Sequence, residues 1–456
     1  MPLKKFASFL LIIIVLIACF LIPAGAVSIP FSNRELRQQL KSETAVLIDG
    51  DTGQVLFEKN MNKKMEPASI TKIMTGLLAL ENAELSDTII MSHDAVFSIG
   101  RDTSHIALDV DEIITLEQAL YALAIESGND AANGIAEHVG SSMENFALLM
   151  TERSKEAGAL NTSFKNAHGL PEPEHYTTAY DMAVITMAAL KTPGFTEIFG
   201  AEKYEMPPTN KQREARTFWS HNSIIAGWYK YDGVIAGKTG WTPESQHTLV
   251  TAARKNGRTL IAVVMKSAAA DDKYTDTAAL LDYGFESFSD VSFNADELSK
   301  DNYIITSEEG VRAEMNLYAE QPFNCLIPKG STKNDIEISY RTVSYGDEYQ
   351  PPQVNAVFTL LQPDSLPDYP EHRKLGELDM LVDIINIEDT LSASADNIQS
   401  VQDQSKGGIS VVFLWIFGFI GALLVILIIL RIRNYIIFKK RRRRRNGKYR
   451  KYSFLK

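Results

Sequence analysis

The sequence has little cysteine, with Cys19 and Cys325 as the only two in 456 residues. So few cysteines exclude a disulfide scaffold and any zinc module built on cysteine ligands. No His-Glu-x-x-His motif is present either, so a zinc peptidase has no support. Glycine, proline and aromatic residues occur at ordinary frequencies, which excludes a fibrous or wholly disordered chain. We therefore predict a globular protein of about two to three domains with no metal and no cofactor.

Two long stretches lack charge, and both predict membrane targeting. The first lies within residues 1–26, where Lys4 and Lys5 precede an uncharged apolar run that ends in Ala-Gly-Ala. This order is typical of a secretory signal peptide. An uncleaved anchor is the alternative interpretation of this segment. Residues 409–430 are also uncharged and would be about 33 Å long as a helix, which is enough to cross a bilayer.

The last 26 residues contain no acidic side chain. Residues 431–456 carry 13 Lys and Arg, so the net charge of -11 hides a charge near -26 over residues 27–430. Basic residues next to a span lie on its cytoplasmic side. We therefore predict a single-pass protein of the cell membrane, with an extracytoplasmic body and a cytoplasmic tail that contacts anionic lipid. The same rule favours a membrane over nucleic acid as the partner of the tail.

Between the signal and the span, the pattern changes twice. Residues 30–288 predict an α/β (α+β) domain, because a hairpin and several helices precede further strands. The helical patterns cover residues 69–81, 116–127 and 129–157, and the clearest strand covers 259–265. Residues 289–390 alternate in short β-type runs and predict a small all-β domain. Residues 391–408 are small and polar, as in a flexible linker.

Ser69 and Lys72 form the first motif that could carry chemistry. At the predicted start of a helix, the i, i+3 spacing places both side chains on one face. A lysine kept neutral by burial can take a proton from a serine nucleophile, and the helix N-terminus favours a developing oxyanion. By itself, the pattern is more often an ordinary helix cap with a solvated lysine.

Two further motifs follow, Ser-Gly-Asn at 127–129 and Lys-Thr-Gly at 238–240. Alone, the first fits a helix stop and restart with Gly128 as the break, and the second fits a strand end and turn. All three motifs in this order within one globular stretch are typical of penicillin-binding proteins and β-lactamases.

The flanking residues make the resemblance more specific. They include Pro-Ala-Ser-Ile-Thr-Lys from Pro67, Glu-Ser-Gly-Asn-Asp-Ala-Ala from Glu126, His-Gly-Leu-Pro from His168 and Gly-Lys-Thr-Gly-Trp-Thr from Gly237. Over residues 40–285 the chain resembles the low-molecular-mass penicillin-binding proteins, which are serine-type D-alanyl-D-alanine carboxypeptidases. The resemblance implies their transpeptidase-like fold, shared with β-lactamases, and residues 289–390 are similar in position to their C-terminal domain.

The resemblance also implies a role for each motif residue. Ser69 would form an acyl-enzyme with the penultimate D-alanine of a peptidoglycan stem peptide, Lys72 would be the general base, and Ser127 would relay a proton to the leaving amine. Backbone N–H groups of Ser69 and Trp241 would form the oxyanion hole, and β-lactams would acylate the same serine. The implied substrate-binding residues are Asn129, which also orients Lys72, then Lys238 and Thr239 at the terminal carboxylate, and Gly240 and Trp241.

Several other residues are predicted to stand outside the chemistry. Lys273 occupies a position where many family members carry arginine, and lysine cannot form the bidentate fork with a carboxylate. Cys325 is expected to be a buried small hydrophobe. Four histidines are expected to be structural or exposed: His168, His175, His221 and His247.

Two alternatives to a carboxypeptidase remain at this point. A serine β-lactamase shares the motifs, and Glu172 or Glu174 could supply the carboxylate for rapid deacylation. The His-Gly-Leu-Pro context and the anchor favour the carboxypeptidase. A catalytically idle wall-associated scaffold is the second alternative, and the intact motifs argue against it.

Overall fold

The computed structural model describes four stretches of the chain, residues 33–306, 311–344, 352–361 and 373–389. The predicted signal peptide, linker, membrane span and basic tail lie outside these stretches. None of the helices in the described stretches is long and apolar enough to cross a bilayer. The described residues divide into two units, the larger containing 33–303 and 315–383 and the smaller containing 304–314 and 384–389.

The helices lie in the larger unit. Besides one π-helical turn at Ala122–Glu126 and 3₁₀ turns at Ala68–Thr71 and Lys333–Asp335, they are α1 Asn33–Gln39, α2 Lys72–Asn82, α3 His93–Phe97, α4 Leu116–Tyr121, α5 Asn129–Gly140, α6 Met143–Glu156, α7 Ala179–Leu190, α8 Phe195–Phe199, α9 Asp272–Ser287 and α10 Ala295–Leu298.

Strands occur in both units, because three of them (β11, β12 and β16) cross the boundary. In chain order the strands are β1 Thr44–Asp49, β2 Val55–Lys59, β3 Thr88–Ile90, β4 Ile113–Thr115, β5 Lys203–Met206, β6 Arg216–Trp219, β7 Val234–Thr242, β8 Gln246–Lys255, β9 Arg258–Ser267, β10 Phe288–Phe293, β11 Lys300–Thr306, β12 Val311–Tyr318, β13 Phe323–Pro328, β14 Ile336–Ser344, β15 Gln353–Leu360 and β16 Arg373–Asp389.

A five-stranded antiparallel sheet organises residues 44–267, in the order β2-β1-β9-β8-β7. Every residue of β1 is buried, and β9 is buried over most of its length. Strands buried on both faces require helices on both faces, and α7 and α9 supply this cover. The predicted hairpin (β1 and β2) and the predicted strand at 259–265 (within β9) are confirmed. Strand β7 lies at the sheet edge, so its outer backbone groups face away from the ladder.

The helices form the second layer, and α2 lies inside it. Lys72 and the seven residues after it are all buried, which is unusual for a helix that starts with a lysine. The long helical pattern predicted over 129–157 is two helices, because Ser141 adopts a left-handed conformation and Ser142 caps α6 through the N–H of Asn145. A Cβ on Gly140 would lie 2.6 Å from that of Phe146, so the tight corner requires glycine there.

The C-terminal part of the larger unit is rich in strands, as predicted. Strands β14, β15 and β16 pair antiparallel within it, and β10 pairs with β13. Phe323 and Phe358 stack with ring centroids 3.6 Å apart in the core of this region. The side chain of Gln54 both donates to and accepts from the backbone of Leu326, at 2.6 and 2.8 Å, and so ties the hairpin of the main sheet to β13. The predicted boundary at residue 288 stays a prediction.

Candidate active site

Ser69 lies on the 3₁₀ turn that leads into α2, with its side chain partly exposed. One turn later, Lys72 is completely buried, and its Nζ lies 3.0 Å from Ser69 Oγ. The predicted i, i+3 contact is therefore formed. Ala68, directly before the serine, has a left-handed φ of 51°, which is a strained conformation for alanine. Such strain next to a serine is typical of a nucleophile held at a fixed angle.

Three oxygen atoms surround the Lys72 amine. Besides Ser69 Oγ, Nζ contacts Asn129 Oδ1 at 2.6 Å and the backbone carbonyl of His168 at 2.8 Å. The amide and backbone carbonyl oxygens can only accept hydrogen bonds, so each takes one N–H of the amine. A neutral amine has two N–H groups and one lone pair. With both N–H groups engaged, its lone pair faces Ser69, which is the arrangement a general base requires.

Two buried lysines face the same site, and both have lowered pKa values. Burial lowers the pKa of Lys72 well below its usual range, the positive charge of Lys238 lowers it further, and Asp130 acts in the opposite direction. Burial lowers the pKa of Lys238 to about 7. Lys238 Nζ donates to the carbonyl of Thr239 at 3.0 Å, and it has no ion pair among the residues that the structure describes. The site thus holds two buried amines whose charged forms are disfavoured, Lys72 against the serine and Lys238 without an acidic partner in the described residues.

Ser127 ends the π-helical turn with a left-handed φ of 60°. The sequence analysis placed the break at Gly128, but Gly128 has a φ of −58° and the left-handed residue is the serine. Ser127 Oγ is buried and has no hydrogen-bond partner within the described part of the chain. Buried hydroxyl groups are normally paired, so a free one in this position is available to a ligand. π-Helical turns are themselves frequent at functional sites.

Asp130 is a residue that the sequence analysis missed. Its carboxylate accepts the backbone N–H groups of Ile106 and Leu108, at 3.1 and 3.0 Å from Oδ2. The N–H of Asn129 in turn donates to the carbonyl of Ser104 at 2.9 Å. These bonds fix the loop at 104–108 against the Ser-Gly-Asn motif and so hold Asn129 towards Lys72.

The edge strand β7 brings the third motif to the serine. A Cβ on Gly240 would lie 2.8 Å from the backbone N of Ser69 and 2.5 Å from Thr248 Oγ1, so glycine allows the strand to approach this closely. Thr239 is half-buried and Trp241 is exposed. The structure therefore brings together the three predicted motifs: Ser69 with Lys72 and Asn129 through hydrogen bonds, and the Lys-Thr-Gly strand through close backbone approach.

His168 and His175 lie on the segment around Gly169, which packs against the 3₁₀ turn that carries Ser69. Burial lowers their pKa values to about 3 and about 4, so both rings are neutral near pH 7. His175 Nδ1 accepts the backbone N–H of Lys165, hence its Nε2 carries the hydrogen and donates to Thr71 Oγ1 at 3.1 Å. At Gly169, with a φ of 90°, a Cβ would lie 1.9 Å from the carbonyl oxygen of Ala68. This segment therefore supports the nucleophile by direct packing.

The other two histidines and Lys273 lie around the edge of the site. His221 is exposed, and its Nε2 lies 3.0 Å from the carboxylate of Glu126, the residue before Ser127; this hydrogen bond raises the pKa of His221. His247 pairs with Trp241 in the β7–β8 register. Lys273 is buried, and its Nζ donates to the carbonyl of Ala270 at 2.9 Å.

Cys325 is buried, as expected. Among the described residues, no group of acidic, histidine or cysteine side chains could hold a metal ion.

A comparison with protein families gives one match that covers more than half of the chain. The model described as Peptidase_S11, D-alanyl-D-alanine carboxypeptidase, matches residues 31–269. The chain belongs to this family. Its relatives include the D-alanyl-D-alanine carboxypeptidase DacF of Bacillus subtilis, 35% identical over 314 residues that cover 66% of this chain and 76% of DacF. The carboxypeptidase DacC of Escherichia coli is 30% identical over 307 residues, covering 65% of this chain and 73% of DacC.

Solved structures confirm the penicillin-binding-protein fold. The carboxypeptidase DacD of Francisella tularensis aligns with a TM-score of 0.58 at 21% identity, over 77% of this chain and 94% of that one. Penicillin-binding protein 5 of Haemophilus influenzae aligns with the same score at 23% identity, over 76% and 98%. These alignments extend past residue 288, since the share of this chain exceeds the catalytic segment. The predicted C-terminal membrane helix is outside the described residues and stays a prediction.

Proposed function

We propose that this chain removes the terminal D-alanine from peptidoglycan stem pentapeptides through an acyl-enzyme on Ser69. The observation that carries the proposal is the buried Lys72 amine, whose Nζ lies between two carbonyl acceptors and Ser69 Oγ. Membership of the carboxypeptidase family supports the same reaction.

In the acylation step, Ser69 Oγ attacks the carbonyl carbon of the penultimate D-alanine while its proton passes to Lys72. The backbone N–H groups of Ser69 and Trp241 stabilise the oxyanion, since β7 packs directly against the serine turn. The C–N bond then breaks. The Ser127 hydroxyl, which has no partner in the described part of the free protein, passes its proton to the departing amine and takes in exchange the proton that Lys72 received from Ser69, so that D-alanine leaves as a neutral amine and both groups return to their starting state.

Lys238 selects substrates that end in a free carboxylate. Its ammonium is buried and lacks an acidic partner in the described residues, so an incoming carboxylate would neutralise a charge that is costly to bury. Strand β7 also presents its outer backbone edge, along which an extended peptide can add as a further strand. Water finally hydrolyses the acyl-enzyme, and the same serine is the point of attack on β-lactams.

The β-lactamase alternative needs a carboxylate that activates water next to the acyl group. Glu172 and Glu174 were the candidates, and the side chains of both are exposed to solvent. The exposure of these two carboxylates therefore gives no support to rapid deacylation. We further propose that the enzyme is anchored in the cell membrane by residues 409–430 with its catalytic domain outside, which rests on the sequence pattern alone.

The reaction is tested with diacetyl-Lys-D-Ala-D-Ala as substrate and free D-alanine as the product measured. We expect release by the wild-type enzyme and none by Ser69→Ala, together with stable labelling of the wild type by a fluorescent penicillin. Absence of release by the wild type would overturn the proposed reaction. Release by Ser69→Ala would remove the assigned nucleophile, and rapid nitrocefin turnover without a stable adduct would favour a β-lactamase.

A further inference from the structure

Two exposed tryptophans form a pocket next to the catalytic motifs. A cavity of about 370 Å³ is lined by Trp219, Trp228, His221, Ser220, Ala226 and Glu202. Trp228 is 87% exposed and Trp219 is 55% exposed. Tryptophan normally buries most of its large apolar surface, so two of them at one solvent-filled pocket indicate a binding surface. Neither the acylation chemistry nor the carboxylate site described above uses these residues.

The pocket is joined to the active site through Glu126. The Glu126 carboxylate accepts the backbone N–H of Trp219 at 3.3 Å and lies 3.0 Å from His221 Nε2. Glu126 immediately precedes Ser127, so the pocket begins one residue and one hydrogen bond away from the catalytic hydroxyl. On its other side, the buried side chain of Asn222 lies against Gly237, the residue before Lys238.

The segment that carries Trp228 is stabilised by backbone hydrogen bonds within itself. Backbone hydrogen bonds run from Ala226 N to Asn222 O at 2.8 Å and from Tyr229 N to Ser223 O at 2.9 Å. The next ring, that of Tyr229, stacks on Tyr274 with centroids 5.8 Å apart. The backbone at Trp228 is therefore fixed, while its ring is exposed to solvent. A ligand that binds the ring would have to order little additional backbone, which keeps the entropic cost of binding small.

The charges around the pocket favour a neutral ligand. Lys203 lies over the Trp219 ring, with Nζ 5.1 Å from its centroid, and already occupies this position as a cation. His221 is already engaged by the Glu126 carboxylate at 3.0 Å, and this hydrogen bond raises the pKa of His221. An incoming ammonium group would therefore meet Lys203, and an incoming carboxylate would meet Glu202 in the pocket lining. A neutral, partly apolar ring with amide and hydroxyl groups suits the tryptophan faces together with the polar groups of Ser220, His221 and Glu202.

We propose that this pocket, here called the tryptophan pocket, binds the amino-sugar portion of the peptidoglycan that carries the stem peptide. The inference rests on the proposed function, since it places the remainder of the same substrate. Three stem residues separate the sugar from the D-Ala-D-Ala end, and in extended form they reach about 10 Å. Glu126 directly precedes Ser127 and its carboxylate accepts the N–H of Trp219, so the pocket begins beside the catalytic motifs. Contacts to this remote part of the substrate would add to transition-state binding.

Two substrates with the same peptide end test the inference. One is diacetyl-Lys-D-Ala-D-Ala, and the other is a pentapeptide on the disaccharide of N-acetylglucosamine and N-acetylmuramic acid. For Trp228→Ala and for Trp219→Ala we expect kcat/KM to fall about three- to tenfold with the disaccharide pentapeptide. With the tripeptide we expect a change of less than about twofold. Leu160→Ala is the matched control, because Leu160 is 72% exposed and does not line the pocket.

A binding measurement separates this inference from the proposed function. The peptide-free disaccharide is titrated into Ser69→Ala and into the double variant that also carries Trp228→Ala, while tryptophan fluorescence is recorded. We expect a saturable change in the first protein and its loss in the second. Equal effects on both substrates, or no effect of either tryptophan and no fluorescence change, would overturn the tryptophan pocket. Failure of the wild type to hydrolyse either substrate would overturn the proposed function and leave the fluorescence result to decide on the pocket.

Discussion

The contact between Asn129 and Lys72 permits a test of the general base with a defined sign. Asn129→Asp replaces the amide oxygen, 2.6 Å from Nζ, with a carboxylate of nearly the same shape. An opposite charge at such a distance raises a lysine pKa by about one to three units. The base acts only when neutral, so activity rises with pH through the Lys72 pKa. A raised pKa therefore moves the acid limb of the pH–rate profile to higher pH by the same amount.

The magnitude follows from that shift. One pKa unit corresponds to about 1.4 kcal/mol, so at a pH on the acid limb the acylation rate falls about 10- to 1000-fold. The alkaline limb comes from Lys238, whose pKa is about 7 and whose proton must be present to bind a carboxylate. Because the acid limb moves towards the alkaline one, the profile of Asn129→Asp is narrower and its maximum is lower.

The assay is the second-order rate constant of acylation by a fluorescent penicillin, measured from about pH 4 to about pH 10. Asn129→Ala is the control, because it removes the acceptor without adding charge. Loss of that hydrogen bond costs about 1–3 kcal/mol and destabilises the ammonium, so its acid limb does not move upward. An unmoved acid limb in Asn129→Asp, or an equal upward shift in Asn129→Ala, would refute Lys72 as the base.

Three further experiments test close packing and burial in the protein. Gly240→Ala places a methyl group 2.8 Å from the backbone N of Ser69, so we expect acylation to slow about 100-fold in an otherwise folded protein, measured by penicillin labelling and circular dichroism. Arg216→Met leaves the fully buried carboxylate of Glu112 without its ion pair, and the free energy of unfolding in urea should fall by about 3 kcal/mol. Burial raises the pKa of the Cys325 thiol to about 12, so peptide mapping after iodoacetamide treatment at about pH 8 should find it alkylated only in denaturant.

The sequence predicted those parts of the site that depend on local periodicity. Spacing of three residues on a helix places Lys72 beside Ser69 whatever the remainder of the fold does. Two apolar runs around a turn segment likewise predicted the β1–β2 hairpin, and the apolar run at 259–265 predicted a strand. Each of these patterns is contained within one element, so it can be read without knowing what packs against that element.

The parts that the sequence analysis missed depend on distant backbone. The third group that holds Lys72 is the carbonyl of His168, and every residue has a carbonyl, so no residue type indicates it. The anchoring of the 104–108 loop by Asp130 has the same origin, because a buried acid that pairs with N–H groups looks like any other acid in the sequence. The left-handed serine at 127, next to a glycine, is set by the π-helical turn and not by residue preference.

The two buried lysines make the strength of the base depend on the substrate. In the free enzyme, the charge of Lys238 helps to keep Lys72 neutral. A substrate carboxylate paired with Lys238 cancels much of that repulsion, so the pKa of Lys72 rises on binding. The proton affinity of the Lys72 amine is thus lower before the substrate arrives and higher when Ser69 attacks. A ligand without the terminal carboxylate loses its anchor and part of this gain, so its deficit lies in kcat as well as in KM.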